Sequence, residues 1–201
     1  MTRSRVDTVE DATYRRTDWY AENLGARTYV RCVFDDIDLT ECSSRGAVFS
    51  DCRFTRVRFN ASEHVESAFT GCVFTACNLF DAEFTGCKLV GSEFADCELR
   101  PVRVLGGDWS LTILREADLR GGSFQDVRLR ETDLTDANCT KAALTGCDLS
   151  GAQLDGVRFA GADLRGSDLG DLDPLRTGVA GAIIDAEQAV ALARALGADV
   201  R

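Results

Sequence analysis

The segment CVFTACNLFDAEFTGCKLVGSEFADC, residues 72–97, places a large apolar side chain at every fifth position, beginning with Phe74 and Leu79. A small residue, most often cysteine, lies two positions before each of them. A period of five matches neither the 3.6-residue period of an α-helix nor the two-residue period of a plain strand. It requires a chain that turns at regular intervals, with one large and one small side chain inside each turn. The segment therefore predicts a solenoid.

The same register extends along most of the chain. From Tyr14 to Ile184, every position whose number ends in 4 or 9 is apolar except Ser44, His64 and Pro174. Because 45% of the residues are apolar, chance would fill only about half of these positions. We therefore expect the 201 residues to form one repeat domain rather than two domains.

A polar residue usually lies between the two inward columns, as in ADLRG at residues 117–121 and 162–166. This pattern resembles the pentapeptide-repeat family, whose consensus is A(D/N)LXX. The resemblance implies that four repeats form one square coil of 20 residues, and phenylalanine does recur at that interval from Phe34 to Phe94. We predict an all-β solenoid, namely a right-handed quadrilateral β-helix of pentapeptide repeats with a short C-terminal α-helix.

The ends of the repeat region have their own predicted boundaries. Residues 1–13 are expected to form an N-terminal tail, residues 14–184 the β-helix, and residues 185–201 a capping and dimerisation helix. The first coil, residues 14–28, is expected to be frayed, because two charged residues occupy its small-residue positions.

The C-terminal segment has the signals of a short helix. Asp185 followed by Gln188 predicts a capping box, and Gly197 predicts the C-terminal cap. The helix could serve only as a lid on the last coil. It could also leave an apolar face for a second copy and form an end-to-end homodimer, which the family resemblance favours. The residues of this predicted dimer interface are Ala189, Val190, Leu192, Ala193 and Leu196.

Nine cysteines raise the question of a metal or disulfide site. Cys139 occupies the large inward column and the others occupy the small one. Cysteines on successive coils would form a straight ladder with a spacing of about 4.8 Å, whereas zinc needs four converging ligands. Parallel side chains are also poorly aimed for disulfides. We therefore expect reduced cysteines that pack as small core residues, with no metal and no cofactor.

One inward pair, Ser44 and His64 one coil later, could indicate nucleophilic catalysis. No acidic residue occupies an inward position from which it could orient the histidine. The glycine pairs at 106–107 and 121–122 fall at corners of the coil rather than in a phosphate-binding loop. We expect no catalytic residues and no enzymatic activity.

The charge restricts the class of partner. Thirty-three acidic and 23 basic residues give a net charge of -10, which argues against direct nucleic-acid binding because phosphate would be repelled. The expected partner is a protein with a basic surface. No apolar run approaches the roughly 20 residues that span a bilayer, and no signal-peptide pattern is present. The chain is therefore expected to be soluble and cytoplasmic, without membrane association.

Carboxylates are concentrated in two parts of the predicted outer surface. One group lies in adjacent columns near the middle of the rod, where Arg100, Arg115 and Arg120 would weaken its field, and the other lies within residues 163–187. Each carboxylate could also serve solubility alone. The candidate partner-binding acidic surface comprises Asp96, Glu98, Glu116, Asp118, Asp136, Asp163, Asp168, Asp171 and Asp173.

Pro101 predicts a local irregularity, because proline lacks the N–H that a stacked coil uses. Leu105, Leu111 and Ile113 follow it at outward positions. They could form a small exposed patch that Phe80 joins, or the irregularity could be buried in a bend. The second interpretation is favoured.

Three further segments narrow the resemblance. FADCELRPVRVLGGDWSLTILREADLRG at 94–121, ASEHVESAF at 61–69 and GAIIDAEQAVALARALG at 181–197 are similar to actinobacterial members of the family linked to fluoroquinolone resistance. That resemblance implies a rod-like dimer that mimics DNA, binds DNA gyrase, inhibits it, and protects it from fluoroquinolones by competing with a DNA segment. The alternative is a non-enzymatic β-helical scaffold or adaptor for another protein with a basic surface, because fold does not determine function.

Overall fold

Short parallel strands recur at 20-residue intervals in the computed structural model, which describes residues 7–170 and 172–201. Each coil of chain stacks on the one before it, and one helix follows the last coil. The predicted all-β solenoid of pentapeptide repeats with a short C-terminal helix is confirmed. Its elements are β1 (Thr8–Glu10), β2 (Thr13–Arg15), β3 (Thr28–Val30), β4 (Val33–Asp35), β5 (Ser43–Arg45), β6 (Val48–Ser50), β7 (Arg53–Thr55), β8 (Glu63–Val65), β9 (Ala68–Thr70), β10 (Val73–Thr75), β11 (Glu83–Thr85), β12 (Glu93–Ala95), β13 (Arg103–Leu105), β14 (Ser123–Gln125), β15 (Ala143–Thr145) and α1 (Ala186–Ala195).

The strands form the faces of the solenoid. The first sheet has the order β1-β3-β6-β9, the second β2-β4-β7-β10-β12, and the third β5-β8-β11-β13-β14-β15. The fourth face is joined by isolated parallel bridges, such as that between Asp18 and Asp38. Along the third sheet and its extensions, pairing runs from Asn23 to Ile183 in steps of 20 residues. Four five-residue repeats therefore make one coil.

The large inward column fills the core with stacked rings. Phe34, Phe54, Phe74 and Phe94 follow one another with ring centroids 4.8, 4.7 and 4.6 Å apart and nearly parallel planes. These spacings match the distance between paired strands, because the same register holds the rings and the backbone. Each fully buried phenylalanine stabilises the fold by about 1.5–3 kcal/mol relative to an exposed one.

The corners between faces use the left-handed backbone conformation. Non-glycine residues adopt it at many corners, for example Asp96 with φ 54° and Glu116 with φ 56°. The conformation costs about 1–2 kcal/mol per residue, which stacking against the neighbouring coils offsets. At Gly107, with φ 92°, the need for glycine is also steric, because a Cβ atom would lie 2.1 Å from the carbonyl oxygen of Cys87.

The solenoid begins nearer the N-terminus than the sequence predicted. β1 pairs with β3, and Val9 packs against the core opposite Tyr29, so residues 8–13 belong to the solenoid rather than to a tail. The apolar residue at position 9 continues the five-residue register and explains this pairing. The remainder of the predicted tail, residues 1–6, lies outside the described residues.

The first coil is also hydrogen-bonded to the next along its length. The Trp19 N–H donates to Asp38 O at 2.9 Å, and the Leu24 N–H donates to Ser43 O at 2.8 Å. The first coil, which was expected to be frayed because charged residues occupy its small-residue positions, is therefore stacked on the next coil. Its main-chain groups form the hydrogen bonds between coils, which do not depend on those side chains.

The helix α1 closes the C-terminal end. Asp185 is its N-cap and forms the predicted capping box with Gln188, while Gly197 has φ 87° just beyond the last turn. Leu192 packs against the core, whereas Leu196 is 60% exposed. Within residues 7–170 and 172–201, no helix has the length and apolar character needed to span a bilayer.

Candidate partner-binding surface

Seven of the nine inward cysteines act as hydrogen-bond donors as well as packing groups. The Cys72 thiol donates to Phe49 O at 3.4 Å, and the hydroxyl of Ser92, in the same column, donates to Phe69 O. Burial raises the pKa of Cys42 to about 12, so this thiol is not a nucleophile near neutral pH. In the part of the chain that the structure describes, no three His, Cys, Asp or Glu side chains are arranged to hold a metal ion.

Ser44 and His64 face one another, as their columns suggested. Ser44 Oγ lies 2.8 Å from His64 Nδ1, and Ser62 Oγ lies 3.1 Å from His64 Nε2. Both partners of the histidine are hydroxyls, and His64 is only 1% exposed. Burial lowers the pKa of His64 to about 3, so the ring is neutral. The pair is sealed within the core, where a substrate cannot reach it.

On the outer surface, Asp96, Glu116 and Asp136 share one corner of three successive coils, between the second sheet and the fourth face. We call these three residues the acidic corner. Each is exposed, and none forms an ion pair with another described residue. The Asp136 carboxylate folds over the next coil, where Oδ1 lies 2.1 Å from the site that a Cβ of Gly156 would occupy. No arginine or lysine among the described residues therefore neutralises the acidic corner.

Glu98 and Asp118, two residues beyond the acidic corner, are partly neutralised. Arg100 lies 3.4 Å from Glu98 Oε1 and 3.2 Å from Asp118 Oδ2, and Arg120 lies 2.7 Å from Asp118 Oδ2. The hydrogen bond from Arg120 lowers the pKa of Asp118, although partial burial opposes it. The expected weakening of the field by Arg100 and Arg120 is confirmed, whereas Arg115 instead pairs with Asp133 at 3.4 Å.

The backbone ladder of the fourth face is interrupted beside these carboxylates. One coil earlier, the Leu79 N–H donates to Glu98 O at 2.7 Å, and one coil later the Leu119 N–H donates to Asn138 O at 2.9 Å. Between them, the corresponding bond from the Leu99 N–H to Asp118 O is absent among the described residues. We call residues 96–99 and 115–118, which face each other across this interruption, the seam.

The seam opens into a crevice of about 400 Å³. The sequence did not predict this opening, although Pro101, which has no N–H for the ladder, predicted an irregularity nearby.

The apolar residues near Pro101 that could have formed a patch or been buried in a bend are exposed, but they do not form one patch. Phe80 lies between the fourth face and the third sheet, Leu105 ends β13, and Ile113 pairs on the second sheet.

The carboxylates of the C-terminal acidic group that the structure describes, unlike those of the acidic corner, have ion-pair or hydrogen-bond partners within the chain. Asp163 pairs with Arg165 at 2.7 Å, and the carboxylates of Asp168 and Asp173 each accept a hydrogen bond from a nearby main-chain N–H. Asp171 lies outside the described residues. Asp168 and Asp173 line a cavity of about 890 Å³ between the last coil and α1, where Leu175 is 82% exposed.

Stacked coils with an apolar interior, a sealed polar pair and a charged exterior define a β-solenoid of five-residue repeats. Residues 77–159 match the family model described as a pentapeptide repeat region. This match covers 83 of the 201 residues, and the same five-residue register continues on both sides of it.

Solved structures share this architecture. Full-length QnrB1, a plasmid-mediated fluoroquinolone resistance protein, is 20% identical with a TM-score of 0.68, and the match covers 95% of this chain and 100% of QnrB1. A trypsin-treated QnrB1 variant is 23% identical with a TM-score of 0.66 and 98% coverage of both chains. HetL, a pentapeptide-repeat protein involved in heterocyst differentiation regulation from the cyanobacterium Nostoc, is 19% identical with a TM-score of 0.54, and the match covers 89% of this chain and 85% of HetL. No curated protein sequence matches the chain. At these identities, the matches establish the fold.

Proposed function

We propose that this protein mimics DNA, binds DNA gyrase, inhibits it, and protects it from fluoroquinolones by competing with a DNA segment. The observation that supports this most directly is an unpaired acidic corner on a rod that shares its fold with QnrB1, a fluoroquinolone resistance protein. The sequence resemblance to the mycobacterial fluoroquinolone-resistance protein MfpA points to the same partner. In this proposal the protein acts by binding in the cytoplasm and has no catalytic residues.

Charge alone would make the rod a weak imitation of DNA. A net charge of -10 spread over about 40 Å is roughly one charge per 4 Å, whereas duplex DNA carries one per about 1.7 Å. Binding must therefore use the places where carboxylates remain unpaired. The acidic corner provides three, one on each of three successive coils. Glu98, Asp118 and Asp163 contribute less because arginines neutralise them.

We further propose that two copies join through their C-terminal ends. In the single chain Ala189 and Leu196 are exposed, and Val190, Leu192 and Ala193 are half-buried, so the helix keeps apolar surface available to a partner. A symmetric dimer would double the length of the rod and place Asp168 and Asp173 of both copies near its middle.

A scaffold or adaptor role for another basic-surfaced protein is the second candidate. HetL, which is involved in heterocyst differentiation regulation, has the same fold, so the fold itself serves more than one function. Binding to gyrase would separate the two candidates.

The test is a gyrase supercoiling assay with and without a fluoroquinolone, using the purified full chain. We expect inhibition by the wild type that weakens when Asp96, Glu116 and Asp136 are all replaced by lysine. Lysine is tolerated at such corners, since Lys141 has φ 58°. If the wild type at micromolar concentration neither inhibits gyrase nor protects it, the gyrase proposal is wrong.

A matched control changes the charge equally at other corners. Glu66, Asp126 and Glu131 have φ of 49°, 55° and 54° and, within the described chain, no ion pair. Their replacement by lysine should leave most of the inhibition. Equal loss in the two triple variants would show that net charge acts rather than the acidic corner.

A further inference from the structure

The seam leaves main-chain groups without their ladder partners. In the regular pattern, a residue at the position of Asp96 donates its N–H to the next coil, as the Ala76 N–H does to Ala95 O at 2.9 Å. The corresponding bond from Asp96 to Arg115 O is absent from the described residues, as is the bond from the Asp118 N–H to Cys97 O. Unpaired main-chain groups at a surface opening are the feature that bound peptides and side chains use.

The three missing bonds leave three main-chain N–H groups and three carbonyl oxygens unpaired within the described chain at this opening, and the carboxylates of Asp96 and Glu116 give acceptors the majority. The carbonyl oxygens of Cys97, Arg115 and Asp118 accept no main-chain hydrogen bond from any described residue. The unpaired carboxylates of Asp96 and Glu116 lie on the rim of the same crevice. A ligand that fits this arrangement must bring several donors and positive charge.

The walls of the crevice also suit an aliphatic stem. Phe94, Leu99 and Ala117 line it, and Ile113 on its rim is 38% exposed. A volume of about 400 Å³ accommodates one long side chain. Such a side chain combines apolar methylene groups with a charged end that remains near solvent.

A guanidinium of this chain already spans the same two coils. Arg100 lies between Glu98 of one coil and Asp118 of the next, at 3.4 and 3.2 Å. It occupies the outer side of the fourth face and leaves the crevice beside the acidic corner open. The contact shows that a planar group with several donors can bridge carboxylates across the interruption.

We propose that the seam binds an arginine side chain of the partner protein. The identification of that partner as gyrase rests on the proposed function, whereas the seam's preference for arginine rests on its own geometry. The five N–H donors of a guanidinium can reach Cys97 O, Arg115 O and the carboxylates of Asp96 and Glu116 together. Lysine, with three donors on a point charge, satisfies fewer of them.

The direct test uses the isolated full chain and a small probe. Backbone amide chemical shifts are followed by NMR while N-acetyl-arginine amide is added to concentrations on the order of millimolar, the range expected for a single side chain. We expect saturable shifts at Asp96, Leu99 and Asp118. The citrulline analogue, which lacks the charge, should cause none. Shifts spread equally over all exposed carboxylates, or the same response to citrulline, would overturn the proposal.

Matched variants connect the seam to the partner. Asp96→Asn and Glu116→Gln remove charge at the rim, and Asp36→Asn and Glu131→Gln remove it from corners with φ of 57° and 54° away from the seam. The rim pair should weaken both probe binding and gyrase inhibition by about fivefold or more, corresponding to about 1 kcal/mol. The control pair should have little effect.

The two proposals fail in different ways. If the wild type does not inhibit gyrase but the probe shifts the seam amides, the choice of partner is wrong and the arginine site stands. If the wild type inhibits gyrase and the probe leaves the seam amides unchanged, the arginine site is wrong and the choice of partner stands.

Discussion

The side-chain amide of Gln188 donates a hydrogen bond to the carbonyl oxygen of Ser167 at 2.8 Å. One coil earlier the equivalent carbonyl, that of Cys147, accepts the main-chain N–H of Asp168, also at 2.8 Å. In both hydrogen bonds the donor residue lies 21 positions after the acceptor residue. A side chain of residue 188 thus replaces the main-chain N–H that a further coil would supply, and the edge of the solenoid is closed.

Asp185 closes a second position in the same way. Its Oδ2 accepts the Gly166 N–H at 2.9 Å, whereas one coil earlier the Gly146 N–H donates to the main-chain oxygen of Arg165 at 3.2 Å. Its Oδ1 accepts the Gln188 N–H at 2.9 Å. Hydrogen bonds from Gln188 and Gly166 lower the pKa of Asp185. One carboxylate therefore caps both the helix and the last coil.

Gln188→Ala is expected to destabilise the fold. It removes hydrogen bonds to Leu164 O at 2.6 Å and Ser167 O at 2.8 Å, which leaves two carbonyl oxygens at the end of the core without that donor. The free energy of unfolding should fall by about 1–3 kcal/mol in urea denaturation. The control, Gln153→Ala at an exposed position, should change it by less than about 0.5 kcal/mol. Similar losses in both variants would contradict the capping role.

Substitution by serine should change the free energy of unfolding differently at two buried cysteines. The Cys147 thiol donates to Phe124 O at 3.4 Å, and Ser167 in the same column donates to Leu144 O at 2.7 Å, so Cys147→Ser keeps its bond and should cost less than about 0.5 kcal/mol. Cys139 is buried in the large column, and its thiol has no hydrogen-bond partner in the described chain. Cys139→Ser should therefore cost about 1–3 kcal/mol in the same urea assay. Equal losses of unfolding free energy in the two variants would mean that the effect of serine does not depend on whether the cysteine lies in the small or the large inward column.

The five-residue register could be predicted from the sequence because burial leaves a periodic record in residue type. Phe74 and Cys72 are inside for the reason that their spacing suggested, and both are buried. The register did not lead us to include Val9 in the solenoid, because one apolar residue beyond the end of a repeat series is weak evidence for a further repeat. It also could not show that small residues such as Cys72 donate hydrogen bonds, since alanine serves elsewhere in the same column.

The candidate surface was predictable only in part. The columns of Asp96, Glu116 and Asp136 followed from 20 residues per coil, but whether each carboxylate is paired depends on where long arginine side chains lie. Arg100 and Arg115 are similarly placed in sequence, yet one bridges the seam and the other contacts Asp133. The seam itself is a loss of hydrogen bonds between coils, which no pattern of residue types records.

His64 should make stability depend on pH. Burial lowers its pKa from 6.5 to about 3, so below pH 6.5 the unfolded chain binds a proton that the folded chain does not. The free energy of unfolding should thus fall as pH drops, by about 2 kcal/mol at pH 5 relative to neutral pH. Because His64 is the only histidine, the melting temperature between these pH values reports mainly on it.

His64→Gln is the control for this pH dependence. The amide can still hydrogen-bond to Ser44 and Ser62 but does not titrate. The variant should be less stable than the wild type at neutral pH, because it loses ring packing on Phe84 at 5.0 Å. Its melting temperature should change much less between neutral pH and pH 5. A parallel fall in both proteins would assign the effect to other groups.

Leu196→Arg should convert the proposed dimer into a monomer. Leu196 is 60% exposed, whereas Leu192 packs against the last coil, so a charge at 196 disturbs the proposed interface with the least damage to the single chain. Light scattering should give the mass of one chain for Leu196→Arg and of two for the wild type. The control, Leu111→Arg, places the same charge on a 51% exposed leucine at a corner of the rod and should remain dimeric. A monomeric wild type would refute the dimer, and a dimeric Leu196→Arg would move its interface away from α1.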